Sequence, residues 1–301
     1  MRSTFLTTLY TQRSVRAMYT SLKSTPRVLL FLLLVVLVTA CEETVVLKLD
    51  NNAPRVVIEG QVTNHASYQY VKVSKSASFY TSGKTPRITD ATVTIADDQG
   101  NTINFVHNPR NHADSVGYYL PQPSFIGVVG RTYTLTVVAE GQTYTAQDKL
   151  NPITTIEKLE YRIDEDEEAD PEDPGRFYEV LMYVKEPKET RDYYLFKTFR
   201  NDSLTLDSDT DIYYADDELV GENIDGFPLP VFFSMNDKAR AEVFSLSREA
   251  YIFYRDLDKL LNNDGGMFDQ PAAEPRTNLS NGALGLFQAS AVTSSEIRVG
   301  E

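Results

Sequence analysis

One cysteine, no tryptophan and three histidines leave this chain of 301 residues poor in the side chains that most often do redox and metal chemistry. A lone thiol cannot close a disulfide within the chain, and it cannot build a cysteine-rich zinc site. The histidines are His65, His107 and His112, and the last two stand five apart in "HNPRNH". Zinc proteases place two histidines four apart on one helical face, so this proline-containing stretch reads as a surface loop. Also missing are a Gly-x-Ser-x-Gly elbow, a Walker-type loop, a Rossmann glycine fingerprint and a His-Glu-x-x-His pair. No catalytic residue, metal ligand or cofactor site is assigned, and the chain is expected not to be an enzyme. Basic residues are few as well: 29 Lys and Arg face 43 Asp and Glu, a net charge of −14. That balance disfavours nucleic acid and anionic membrane surfaces as partners, because the electrostatic term would be repulsive.

A long apolar run is absent too. Val28 to Ala40 holds 13 uncharged residues, whereas a membrane-spanning helix needs about 20. Lys23 and Arg27 precede the run and small residues end it, which is the layout of a secretory signal. Its last four residues, Val38-Thr39-Ala40-Cys41, resemble the lipobox of bacterial lipoproteins, with Val38 where Leu is usual. That resemblance makes Cys41 the lipid attachment point, residues 1–40 a signal peptide and residues 41–53 a lipidated N-terminus and tether. Met18 would give a leader of more ordinary length, and translation is expected to start there. One acyl chain binds a membrane only reversibly, while two or more hold stably, so a triacylated Cys41 would anchor the protein durably. Removing the first 40 residues takes away five basic and no acidic ones, leaving 24 against 43 and a net charge of −19.

From Pro54 onward the pattern is β. "RVVIEGQVT" and "YQYVKVSKS" read as strands, and "DATVTIADDQGNTINFV" reads as a hairpin turning at Gly100. In "RTYTLTVVAEGQTYTAQDKL", Tyr133, Leu135 and Val137 share a face before Glu140-Gly141 turns the chain. Some seven short strands over 54–150 predict an immunoglobulin-like β-sandwich without the disulfide and tryptophan of antibody domains. Residues 151–301 predict a second β-rich domain, with strands in "RFYEVLMYVKEP", "RDYYLFKTFRND", "PLPVFFSM" and "RAEVFSLS". One prominent helix is expected near 247–263, capped by Ser247, its stripe of Ala250, Tyr254, Leu257 and Leu261 packing on the second sheet. "GALGLFQASAV" reads as a closing strand. The fold class is thus mainly β, in two domains.

Acidic stretches raise the question of calcium. "DEDEEADPED" (164–173) has eight carboxylates in ten positions, a pattern most often found in a solvated loop. In "DSDTDIYYADDE", Asp207, Asp209, Asp211 and Glu218 fall at the first, third, fifth and twelfth places of a calcium loop. Ile212 stands where that loop's turn requires Gly, and a polar loop is the better reading. The 18 Tyr and 15 Phe are expected mainly in strand packing. The loop pairs Phe79-Tyr80 and Tyr213-Tyr214 are candidates for a binding surface.

Taken in order, the lipobox, "PRVVIEGQVT", "GVVGRTYTLTV", "DDELVG", "SREAYIFYRDLDKLL" and "NLSNGALGLFQASAV" resemble a family of Bacteroidota outer-membrane lipoproteins known only as a domain of unknown function. The resemblance covers the chain after the signal and implies an N-terminal carboxypeptidase-regulatory-like sandwich. It implies a place in the outer membrane, on the periplasmic face or the cell surface, and service as a nutrient-uptake accessory to a TonB-dependent transporter. Glu42-Glu43 resembles part of the acidic tag that sends such lipoproteins to the surface. The family brings no ligand or catalytic residues. A structural or adhesive surface lipoprotein is the alternative expectation.

Overall fold

Threonines alternating with Tyr133, Leu135 and Val137 give a strand one dry face and one wet face, and the other early strands repeat the device. The computed structural model describes residues 53–77, 85–170, 174–185, 192–208, 210–216, 223–263 and 273–300. Cys41 with the expected signal and tether before Ala53, the pair Phe79-Tyr80, and Asp209 and Glu218 lie outside the described residues. Seven strands lie in the first half: β1 (Val56–Thr63), β2 (Tyr70–Lys75), β3 (Thr92–Asp97), β4 (Thr102–His107), β5 (Tyr118–Gln122), β6 (Thr132–Ala139) and β7 (Gln142–Lys149). The β3–β4 turn places Gly100 at φ 87°, as expected of it. The β6–β7 turn puts Glu140 and Gly141 both at positive φ, the backbone of a two-residue hairpin loop.

Later elements are β8 (Ile156–Ile163), the short helix α1 (Glu165–Ala169), β9 (Tyr178–Lys185), β10 (Tyr193–Arg200), β11 (Ser203–Thr205), β12 (Tyr213–Asp216), β13 (Asn223–Pro228) and β14 (Lys238–Leu246). Helix α2 (Arg248–Leu261), β15 (Leu284–Ser290) and β16 (Val292–Arg298) follow. The Ser247 hydroxyl accepts from the Ala250 amide at 3.1 Å, so the helix begins where its cap predicts. At the start of the acidic run, Asp164 caps α1 by accepting from the amides of Asp166 and Glu167, and the carboxylates of the first turn suit the positive end of that helix. Beyond Pro228, which ends β13 opposite Leu181 of β9, "PLPVFFSM" is not a strand. Pro228 and Pro230 lack the amides a ladder needs, and the rest of the segment bonds the β9 backbone at Leu229 and at the Phe233–Tyr178 bridge.

Among the described residues the strands form three sheets. Hydrogen bonding runs without a break through β15-β1-β2-β5-β4-β3-β6-β7. A sandwich of immunoglobulin type would divide such strands between two facing sheets. Here the β3–β4 hairpin is inserted into the sheet, β4 pairing with β5 and β3 with β6, and one sheet curls into a nearly closed barrel. Ile58, Val71, Ile95, Leu135 and Phe287 fill it, all fully buried. The chain leaves this sheet after Lys149 and returns at Leu284, where β15 runs parallel to β1. Between these points, β11-β10-β14-β16 with β12, and β13-β9-β8, enclose a second core that includes Val180, Met182, Phe233 and Val243.

Side chains and the loop 278–281 bridge the remaining gap between β7 and β15. The Asn278 amide acts like a strand residue toward Phe287, donating to its carbonyl at 2.7 Å and accepting from its amide at 3.1 Å. It also donates to the Gln147 carbonyl at 3.2 Å. Ser280 exchanges bonds with Thr145, and Asp148 accepts from the Ala289 amide at 2.8 Å. Gly285 lets β15 lie this close to β1: it stands at φ 102°, and a Cβ there would overlap the Ile58 carbonyl oxygen.

Candidate functional site

Strands β2, β1 and β15 present a row-by-row surface on the outer face of the barrel. The register puts Tyr70, Gln61 and Gln288 in one row, then Lys72, Glu59 and Leu286, then Ser74, Val57 and Leu284. Helix α2 crosses over this surface. Its first turns are seated by Ala250, which is fully buried, and by Tyr251, whose ring lies 4.7 Å from that of Tyr193 on β10. Farther along, Tyr254 still bonds Gln288 on β15, but helix and sheet part around it. Between them lies a cavity of about 440 Å³, walled by Val57, Leu284 and Leu286 from the strands and by Phe253, Leu257 and Leu260 from the helix. The stripe expected to pack on the second sheet therefore divides. Ala250 packs as expected, while Tyr254 and Leu257 roof a space and Leu261 is 45 % exposed.

The polar groups at this cavity are few and specific. Tyr254 donates its hydroxyl to Gln288 Oε1 at 2.6 Å, Gln288 Nε2 donates to Gln61 Oε1 at 3.2 Å, and Gln61 Nε2 donates to the Tyr68 carbonyl at 3.0 Å. The Tyr68 hydroxyl then donates to Glu242 Oε1 at 2.5 Å, and Glu242 is also paired with Arg240. A polar chain thus runs from the cavity to a carboxylate on β14 that is 1 % exposed. Glu242 Oε2 has no hydrogen-bond partner among the described residues. Burial of a charge so nearly complete is tolerated only with close partners, and Arg240 also lies over the Phe199 ring at 3.8 Å.

Tyr70 differs from Tyr254: its ring lies 5.8 Å from Tyr118, yet its hydroxyl has no hydrogen-bond partner among the described residues. Burial, with the charge of Glu59 adding to it, pushes the Tyr70 phenol far above its usual range. Burial does the same to Tyr254, with Tyr70 and Glu59 adding to it. Both phenols stay protonated at any physiological pH. Glu59 lies on the same wall, its Oε1 held by Lys72 at 2.6 Å. Glu274, the second carboxylate at the cavity, is held by Arg55 Nη1 at 2.5 Å. Apolar walls with a few placed polar groups are the usual make-up of a small-molecule site.

The other sequence candidates do not converge here. His107 Nε2 accepts from the Gly117 amide at 3.0 Å, which fixes a turn. His112 accepts from the Asp114 amide and caps a short 3-10 turn. In the calcium-like loop, Asp211 Oδ2 is taken up by the Ser208 amide at 2.8 Å and the Tyr213 hydroxyl at 3.0 Å. Tyr213 and Tyr214 belong to β12 rather than to a loop, and Tyr214 bonds Asp258 on α2 at 3.1 Å. Among the described residues no group of three His, Cys, Asp or Glu is placed to hold a metal ion, and no helix is long and apolar enough to cross a membrane. Sequence reading missed the cavity because its walls come from segments up to 230 positions apart. One signal was present: "VVIEGQVT" and "GLFQASAV", largely apolar strands, each carry one glutamine, and those two glutamines meet.

No curated protein matches the chain. A family model spans residues 42–296. The chain belongs to the family described as domain of unknown function DUF4249.

Proposed function

We propose that this protein is a lipid-anchored, non-catalytic binding protein of the outer membrane that holds a small ligand under α2 and serves a TonB-dependent transporter. The observation that carries the reading is the cavity between α2 and the outer face of β1, β2 and β15, apolar in its walls and lined by a tyrosine whose hydroxyl no described residue engages. The anchor rests on Val38-Thr39-Ala40-Cys41, and the transporter on the family's resemblance to uptake accessories. The test is purification of tagged protein from gently solubilised outer membranes, beside Cys41→Ala and the cavity-filling Leu257→Trp. A transporter recovered with wild type and lost with Cys41→Ala, and a small molecule retained by wild type but not by Leu257→Trp, are the expected results. Fractionation with the inner membrane and no associated transporter would sink the reading.

One observation favours the adhesive alternative. Ile126, Val128 and Val129 are 59, 45 and 44 % exposed on a loop whose backbone is pinned. Gly127 donates to the Thr63 carbonyl at 2.8 Å and Gly130 to the Leu150 carbonyl at 2.7 Å. A fixed apolar tip of that kind suits contact with another surface. Loss of attachment with unchanged nutrient uptake in a deletion strain would decide for it.

A further inference from the structure

The charged and hydrogen-bonding groups around the cavity are strongly one-sided. Glu59 and Glu274 are the charged residues that line it, and both are carboxylates. Each has one oxygen engaged, by Lys72 and Arg55 respectively, and one oxygen with no protein partner among the described residues. Tyr254 donates its hydroxyl hydrogen to Gln288, which leaves its oxygen only as an acceptor. Unspent donors amount to the hydroxyl of Tyr70 and one amide hydrogen of Gln288, neither of them charged. No lysine or arginine stands among the described residues that line it. Rings of Tyr70, Phe253 and Tyr254 supply π faces beside these acceptors. The whole chain adds a field of the same sign through its net charge of −14.

We infer that the cavity takes an organic cation: a protonated amine on an apolar body, the ammonium set between Glu59, Tyr70 and Tyr254 and the body against Val57, Leu257 and Leu286. An ammonium group brings only donors, which is what this wall lacks, and it gains from the tyrosine faces as well as from the carboxylates. A carboxylate or phosphate ligand would face two carboxylates whose cations, Lys72 and Arg55, are already paired with them, and would be disfavoured. A neutral alcohol would keep the apolar contacts and lose the ionic ones. The inference rests on the binding reading above and narrows it to one class of ligand.

The experiment is calorimetric titration of the chain at pH 7 with three probes of equal length: octylammonium, octanol and octanoate. Octylammonium is expected to bind about tenfold or more tighter than octanol, the ratio that about 1.4 kcal/mol of ionic and cation–π attraction provides. Octanoate is expected to bind more weakly than octanol. Glu59→Gln, a substitution at a half-exposed position, should bring octylammonium close to octanol while leaving octanol unchanged. Equal binding of octanoate and octylammonium, or a preference that survives Glu59→Gln, would overturn the inference while leaving the cavity a binding site. If none of the three binds to wild type, the binding reading itself fails and the inference with it.

Discussion

Asp148 holds a carboxylate at the seam where β7 meets β15, and it is 6 % exposed. Burial is the main influence on it and raises its pKa from 3.8 to about 6, although bonds from the Ala289 amide and the Ser247 hydroxyl pull the other way. An acid whose pKa is higher in the folded than in the unfolded chain binds more protons when folded. Its contribution to stability is complete below the unfolded value and is lost as pH rises through the folded one. Between 3.8 and about 6, at roughly 1.4 kcal/mol per pH unit, that makes about 3 kcal/mol. Asp97 and Asp256 have the opposite sign. Burial opposes it at Asp97, but bonds from Asn101, Gln99 and Arg131 hold that carboxyl below its usual range, and the Arg276 side chain does so for Asp256. Their contributions fall away only below about pH 4. Urea unfolding followed from pH 4.5 to 7.5 should therefore show stability declining with pH, and Asp148→Asn should flatten the slope. A slope that persists in the variant would assign the decline to other groups.

Helix α2 depends on that same seam. Ser247 accepts from the Ala250 amide, and its hydroxyl also favours the ionised form of Asp148. The residue that starts the helix thus also solvates the buried carboxylate. Ser247→Ala removes a cap, a loss of about 1 kcal/mol, and removes a donor that the ionised carboxylate needs more than the neutral acid does. The variant should lose more stability at pH 7 than at pH 5, and Ser247→Thr, which keeps the hydroxyl, should restore most of it. Equal losses at both pH values would mean that cap and carboxylate are independent. The helix was legible in the sequence because cap and spacing are local signals, and the same holds for the β3–β4 and β6–β7 hairpins. What the helix covers was not legible. A stripe of Tyr254, Leu257 and Leu261 has the same spacing whether it meets a packed sheet or roofs a cavity. In the sequence, β12 reads as part of the polar loop "DSDTDIYYADDE". Its pairing with β10, from Tyr213–Phe196 to Asp216–Tyr193, is decided by a partner strand that no local pattern names.

Over the whole chain, the least legible feature is the return of β15 to β1. "GALGLFQASAV" reads as a strand, and it is one, but nothing in it says that its neighbour begins more than 220 positions earlier. Asn278 and Gly285, the residues that make the return fit, look like ordinary turn residues in the sequence. Their roles follow from the Phe287 backbone that Asn278 imitates and the Ile58 carbonyl that a side chain at 285 would strike. Residues Asn52–Glu301 form one compact unit, and Phe287 and Ala289 of β15 are fully buried in the same core as Ile58 and Leu135. A fragment ending at 150 would lack those side chains. It would leave the inner face of β1 open where Phe287 sits, and would present β1 and β7 as unpaired edges. Removing a buried Phe alone typically costs about 3–5 kcal/mol, which approaches the stability of a small domain, and open apolar edges invite aggregation. The fragment 54–150 is therefore predicted not to fold as a monomer, and residues 53–300 are predicted to unfold in one cooperative step. Amide proton dispersion of the fragment and coincident tyrosine-fluorescence and circular-dichroism transitions of the longer chain would check both statements. A well-dispersed monomeric fragment would show that the first seven strands close their own core and that β15 only covers it.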